Sequence, residues 1–79
     1  MSTEKKIIEM ISKQMRIAIP KITASKSNDD LGMDSLDDLE FIMAIEEEFD
    51  IEISDSQAVK LKLVSDVIAL VEEMLFLRS

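Results

Sequence analysis

The chain of 79 residues carries 17 Asp or Glu, nine Lys or Arg and no His, for a formal net charge of −8. With 47% hydrophobic and 33% charged residues, one Gly and one Pro, it is too apolar for a disordered chain and too poor in turn formers for a many-stranded sandwich. One small all-α domain spanning 1–79 is expected. The absence of Cys and His excludes disulfides, thiolate and imidazole metal ligands, cysteine nucleophiles and Ser-His-Asp catalysis, so the chain is not expected to be an enzyme.

The apolar runs 41–45 and 67–71 are five residues each, against the ~20 that a bilayer span needs. Lys5 and Lys6 precede an apolar stretch, but Glu9, Ser12 and Lys13 break it. No signal-peptide core forms, and a cytoplasmic monomer is expected. Charge is uneven along the chain. Residues 1–26 hold six basic and two acidic side chains, 27–59 hold twelve acidic and no basic ones, and 60–79 hold three of each. The central block repels nucleic acid and anionic membranes and steers basic protein surfaces toward it; a solvated face serving solubility is the plainer alternative.

Residues 3–18 read as a first helix, with Ile7, Ile8, Ile11, Met15 and Ala18 on one side and Lys5, Lys6, Lys13 and Arg16 opposite. Ser2 or Thr3 can cap it, and Pro20 ends it. Residues 19–34 then form a long loop of Ser, Asn, Asp and Gly32 with little to bury, and long loops in small domains tend to be functional.

Asp34 is a natural N-cap for a second helix that runs to about Phe49, with Asp37 at its third position. On a helical wheel Phe41, Ile42, Ile45 and Phe49 form the core stripe. Leu36 and Met43 lie within about 20° of each other on the opposite side, flanked by Asp37, Glu40, Glu46 and Glu47. An apolar anchor ringed by carboxylates has the makeup of a docking site. The alternative is a helix covered on both sides, with Leu36 and Met43 in the core.

Residues 50–55 alternate as a short link, a short helix follows over about 56–61, and a last helix over about 64–77 has Val64, Val67, Ile68, Val71, Met74 and Leu75 in one stripe. Leu63 gives it no ideal cap. Phe76 and Leu77 lie off the stripe, where fraying and dimer contacts are equally compatible. The expected architecture is a small four-helix bundle, three longer helices and one short, with the long loop between the first two.

Ser35, at the first turn of the second helix, is the one hydroxyl whose position suits modification, because the unpaired amides and dipole there favour an attached phosphate. No His activates it as a nucleophile, and a Ser beside an Asp cap is more often plain capping chemistry. Asn28, Asp30 and Gly32 do not fit an EF-hand frame. The crowding of Glu46, Glu47, Glu48, Asp50, Glu52 and Asp55 leaves loose divalent-cation binding open.

The run Asp30-Leu31-Gly32-Met33-Asp34-Ser35-Leu36-Asp37, with Leu39-Glu40 and Met43-Ala44-Ile45-Glu46-Glu47-Glu48-Phe49-Asp50, resembles an acyl carrier protein. The likeness continues through Glu52-Ile53, Asp55, Ala58, Lys60 and Val64. It implies 4′-phosphopantetheine esterified to Ser35 beside Asp34, transferred from coenzyme A by a Mg²⁺-dependent phosphopantetheinyl transferase. It also implies a thiol that carries acyl chains as thioesters in fatty-acid synthesis. Leu36, Asp37, Glu40, Met43 and Glu47 would then meet acyl transferases and ketoacyl synthases with basic docking patches. Phe41, Ile45, Ile53, Ala58 and Leu61 match the family's acyl pocket, and no metal site is implied. The loop is about one residue short of the family pattern and lacks the usual aromatic near Lys26 and Ser27. Ser54 stands where Pro is frequent and Asp38 where a small hydroxyl residue is frequent, and the first helix is unusually basic. A discrete carrier for polyketide, aminoacyl or specialised lipid groups shares these features. An unmodified acidic interaction module is the alternative of another class.

Overall fold

A computed structural model describes residues 2–78 as four helices with no strand among them: α1 (Thr3–Met15), α2 (Ser35–Phe49), α3 (Asp55–Ala58) and α4 (Val64–Arg78), plus a 3₁₀ turn at Ile19–Lys21. Ser2 caps α1 by accepting the Lys5 amide proton at 3.1 Å. The helix stops three residues short of the expected Ala18. Arg16 turns left-handed at φ 56°, the Ile17 amide donates back to the Ser12 carbonyl at 3.2 Å, and the Ser12 hydroxyl donates to the Ile17 carbonyl at 2.6 Å. These bonds turn the chain out of the helix before Pro20 acts, and Ala18 is left exposed. Helix α2 ends the same way, with Asp50 at φ 54° and the Ile51 amide on the Glu46 carbonyl at 3.1 Å. The Arg78 guanidinium, from the end of α4, reaches the carbonyls of Phe49 and Asp50.

The core is one cluster. Ile7 and Ile11 of α1, Phe41 and Ile45 of α2, and Val64, Val67, Ile68 and Val71 of α4 are buried in it, as the helical stripes predict. Ile22, Leu31 and Met33 are buried there too. The loop is therefore a further wall of the core beside the three long helices, contrary to the expectation that it buries little. It is also tied down at its middle. The Asn28 amide donates to the Lys62 carbonyl at 3.0 Å, and the amides of Val64 and Ser65 donate to the carbonyls of Lys26 and Ala24 at 2.9 Å each. The Asn28 side chain adds a bond to the Leu61 carbonyl at 3.1 Å. Ser27 and Asp30 close a reciprocal turn within the loop, and the bonds from the Ser27 backbone and then its hydroxyl hold the Asp30 carboxyl below its ordinary value.

Helix α3 is shorter than the expected 56–61, ending at Ala58, while α4 begins at Val64 as expected, and both starts are set by a side chain that reaches back to free amides. Helix α3 begins at Asp55 rather than 56 because Ser54 and Gln57 form a capping box. Helix α4, which lacks a cap at Leu63, is started by the Asp66 carboxylate, which accepts the Leu63 and Lys62 amide protons at 2.9 and 3.2 Å.

Against twelve acids in 27–59, the described residues form two ion pairs, Lys6–Glu48 at 3.7 Å and Arg78–Asp50 at 3.9 Å. Both are exposed enough to contribute little. Repulsion within the acidic block thus dominates, and salt weakens it. Thermal melts should shift up by about 4–8 °C from low salt to ~0.5 M NaCl, a gain of roughly 1 kcal/mol. A flat or falling series contradicts this balance.

Candidate functional site

Everything about the start of α2 positions one serine. Gly32 takes φ 76° with open space around it, so the turn needs its conformational freedom rather than its small size. That turn sends Met33 into the core, 4% exposed. Asp34 then caps the helix in both directions: its Oδ1 accepts the Asp37 amide proton at 2.9 Å, and Asp37 Oδ2 accepts the Asp34 amide proton at 3.1 Å. Because this box does the capping, Ser35 is released from that role. Ser35 is the first residue of the helix and exposed, and its hydroxyl is not engaged by any hydrogen bond among the described residues. The first amides of α2 and the positive end of its dipole lie beside it. Asp34→Ala should cost about 1 kcal/mol of stability, read as a lowered urea midpoint at unchanged slope; an unchanged midpoint means that the box does not hold the helix start.

The exposed flank of α2 carries the residues expected to meet partners. Leu36 is 63% and Met43 56% exposed, so the helix is not covered on both sides. Glu40 and Glu47 are exposed beside them and Asp37 is half-buried. The wheel missed two members of this face, Leu39 at 57% and Val59 of the α3 region at 71% exposed. Leu39 had a signal in its angular position outside the core stripe, whereas Val59 owes its exposure to tertiary placement. Glu46 is drawn inward, its Oε2 accepting the Ile53 amide proton at 2.9 Å. Among the described residues no three Asp or Glu are grouped so that they could hold a metal ion.

Next to this face, between α2 and α3, lies an open cleft of about 260 Å³ lined by Leu39, Ile42, Met43, Ile53, Ala58 and Val59, with Asp38, Glu46 and Asp55 at its polar edges. Behind it a smaller cavity of about 50 Å³ is lined by Asn28, Asp38, Phe41, Ile42, Ala58, Leu61 and Val67. Of the five residues matched to an acyl pocket, Ile53 and Ala58 line the outer cleft and Phe41, Ala58 and Leu61 the inner one. Ile45 is fully buried and lines neither, while Ile42 lines both. Asp38 lies on both too. Desolvation, and then the negative charges of Asp29, Asp37 and Asp34, push its carboxyl above the usual value, and its Oδ1 is buried with no hydrogen-bond partner.

The start of α2 thus presents an exposed serine hydroxyl about one turn from Asp38, the first residue of that helix to line the cleft. The family model described as phosphopantetheine attachment site matches residues 5–71. The acyl carrier protein of Akkermansia muciniphila is 46% identical over 74 residues, 92% of each chain. That of Buchnera aphidicola subsp. Schizaphis graminum is 58% identical over 64 residues, 80% of this chain and 81% of the relative. The crystal structure of an acyl carrier protein from Thermotoga maritima superposes with a TM-score of 0.83 at 28% identity, covering 95% of this chain and 88% of that one. The chain belongs to the acyl carrier protein family, whose members are non-catalytic carriers with covalently attached 4′-phosphopantetheine, and which works with acyl-handling enzymes. No helix among the described residues is long and apolar enough to cross a membrane.

Proposed function

We propose that this protein carries acyl chains of fatty-acid biosynthesis on 4′-phosphopantetheine attached to Ser35, with the cytoplasm as its setting. The observation that carries the reading is the exposed Ser35 hydroxyl at the first residue of α2, one turn from the apolar α2–α3 cleft. The site fits the group: the oxygen is free to take a phosphodiester, the adjacent amides suit its charge, and the cleft offers cover. When attached, the group supplies a terminal thiol for thioester formation, which the chain lacks, having no Cys.

Attachment joins Ser35 Oγ to a phosphorus of coenzyme A; the Oγ proton is lost and 3′,5′-adenosine diphosphate leaves. With no His or Cys to take that proton, the transferase and its Mg²⁺ must supply the activation. Asp34 and Asp37 hold the helix start, and with it Oγ, in place through their reciprocal bonds. Their charges and that of Asp38 oppose an added phosphate, so the partner must bring cations to this corner. Leu36, Leu39 and Met43 offer it apolar contact, and Glu40 and Glu47 guide its basic patch. The residues of the α2–α3 cleft keep part of the acyl chain from water, at roughly 0.8 kcal/mol per buried CH₂.

Reconstitution tests the pathway. The loaded protein is given malonyl transferase, ketoacyl synthase and the reductive enzymes of fatty-acid synthesis. Elongated acyl products on the protein support the reading. Efficient loading of Ser35 without elongation overturns the fatty-acid assignment and favours a specialised carrier.

A further inference from the structure

Asp38 sits where the spaces around α2 and α3 meet. It lines the outer cleft, the inner cavity and a third opening toward the loop at Asn28 and Lys62; Ala58 is the other residue common to all three. Three residues after Ser35, it lies about one turn along the helix and is the first residue of α2 to line the outer cleft. Its Oδ1 is shut off from solvent and accepts no hydrogen bond. A buried acceptor left unpaired is costly, and in most folds a donor is found for it. Few donors surround this one. From the loop it faces Asp29, on its own helix and cap Asp34, Asp37 and Glu46, and on α3 Asp55. Lys62, at the loop-side opening, is the one cation lining these spaces.

We propose that Asp38 selects the cargo: its carboxylate favours acyl groups that carry a hydrogen-bond donor, a hydroxyl or an ammonium, and disfavours bare alkyl chains passing from the outer cleft into the inner cavity. Oδ1 has no water to lose, but the side chain is otherwise partly exposed, and an alkyl chain in the neck strips water from that exposed part of the carboxylate and returns no hydrogen bond. A hydroxyl or ammonium at the same depth donates to that exposed part in the water's place, and charge-assisted bonds of this kind are about twice as strong as neutral ones. The walls beyond Asp38, Phe41, Ile42, Leu61 and Val67, remain apolar, so the selected group is a donor-bearing carbon chain rather than a wholly polar one. This rests on the reading that cargo attached through Ser35 uses the α2–α3 cleft.

The test loads Ser35 from the coenzyme A thioesters of octanoate and 3-hydroxyoctanoate, using a permissive phosphopantetheinyl transferase, in the parent chain, Asp38→Asn and Asp38→Leu. Thermal melts compare each loaded form with the unloaded holo form of the same variant. In the parent the hydroxylated cargo should raise Tm by about 4 °C or more above the octanoyl form, a shift that corresponds to several-fold in the folding equilibrium. Asp38→Leu should reverse that order, and Asp38→Asn, which keeps the shape and removes the charge, should narrow it. The same order and size in all three proteins overturns the selection by Asp38 while leaving the carrier reading intact. Failure of a folded parent chain to load at Ser35 overturns the carrier reading and this inference with it.

Discussion

Ser35→Ala is expected to remove all loading by coenzyme A and transferase while leaving the fold untouched. Loading needs an oxygen at this position, and none of the neighbouring groups offers a substitute. Asp34 and Asp37 are engaged with each other's amides, and Ser27 is tied to Asp30 in the loop. The fold should not notice the change, since Asp34 rather than Ser35 caps the helix and Ser35 is exposed. Exposed substitutions of this kind stay within about 0.5 kcal/mol, so the melt should hold to within ~4 °C. Intact mass and a thermal melt on the same sample check both halves. Retained mass gain would place the attachment elsewhere; lost loading together with a collapsed melt would make the serine structural.

The second large effect is electrostatic. The double reversal Glu40→Lys and Glu47→Lys changes the net charge from −8 by two units at each site, to −4, and places both cations beside Leu36 and Met43. Steering toward a basic partner depends on the local field more than on the total. Loading by the transferase should therefore fall by roughly 10- to 100-fold in kcat/KM at low ionic strength, and the loss should shrink as salt screens the field. The control is Glu72→Lys with Glu73→Lys, on exposed positions of α4, with the same total charge. Equal losses in the two double variants would mean that net charge alone matters and that α2 is no special face.

The core side of α2 was readable because its pattern is local. Phe41 and Ile45 repeat at helical spacing, and Asp34 with Asp37 spells out a capping box three residues apart, so both the buried stripe and the site of Ser35 follow from neighbours in sequence. What the sequence hid depends on partners far along the chain. The end of α1 is decided by Arg16 turning left-handed, for which no Gly gave warning. The loop reads as polar punctuation, yet Ile22, Leu31 and Met33 are spaced through it without period, and only packing against three helices reveals them as core. Likewise the pairing of 24–28 with 61–65 involves backbone groups, which leave no trace in composition. The cleft shows the same limit. Ile42 and Ile45 both belong to the apolar stripe, but whether a residue of that stripe lines an opening depends on where α3 comes to rest. Asp38 lay in plain view as one carboxylate among many, and its isolation emerges only when α3, the loop and the start of α2 enclose one of its oxygens.

The central claim, that this chain is a carrier modified at Ser35, is tested most directly by intact mass after incubation with coenzyme A, Mg²⁺ and a phosphopantetheinyl transferase, followed by mapping of the modified peptide. A gain of one phosphopantetheine group, located on Ser35, is the predicted result. No gain from a chain shown to be folded would contradict it and leave an acidic helical module that docks through Leu36 and Met43 without cargo.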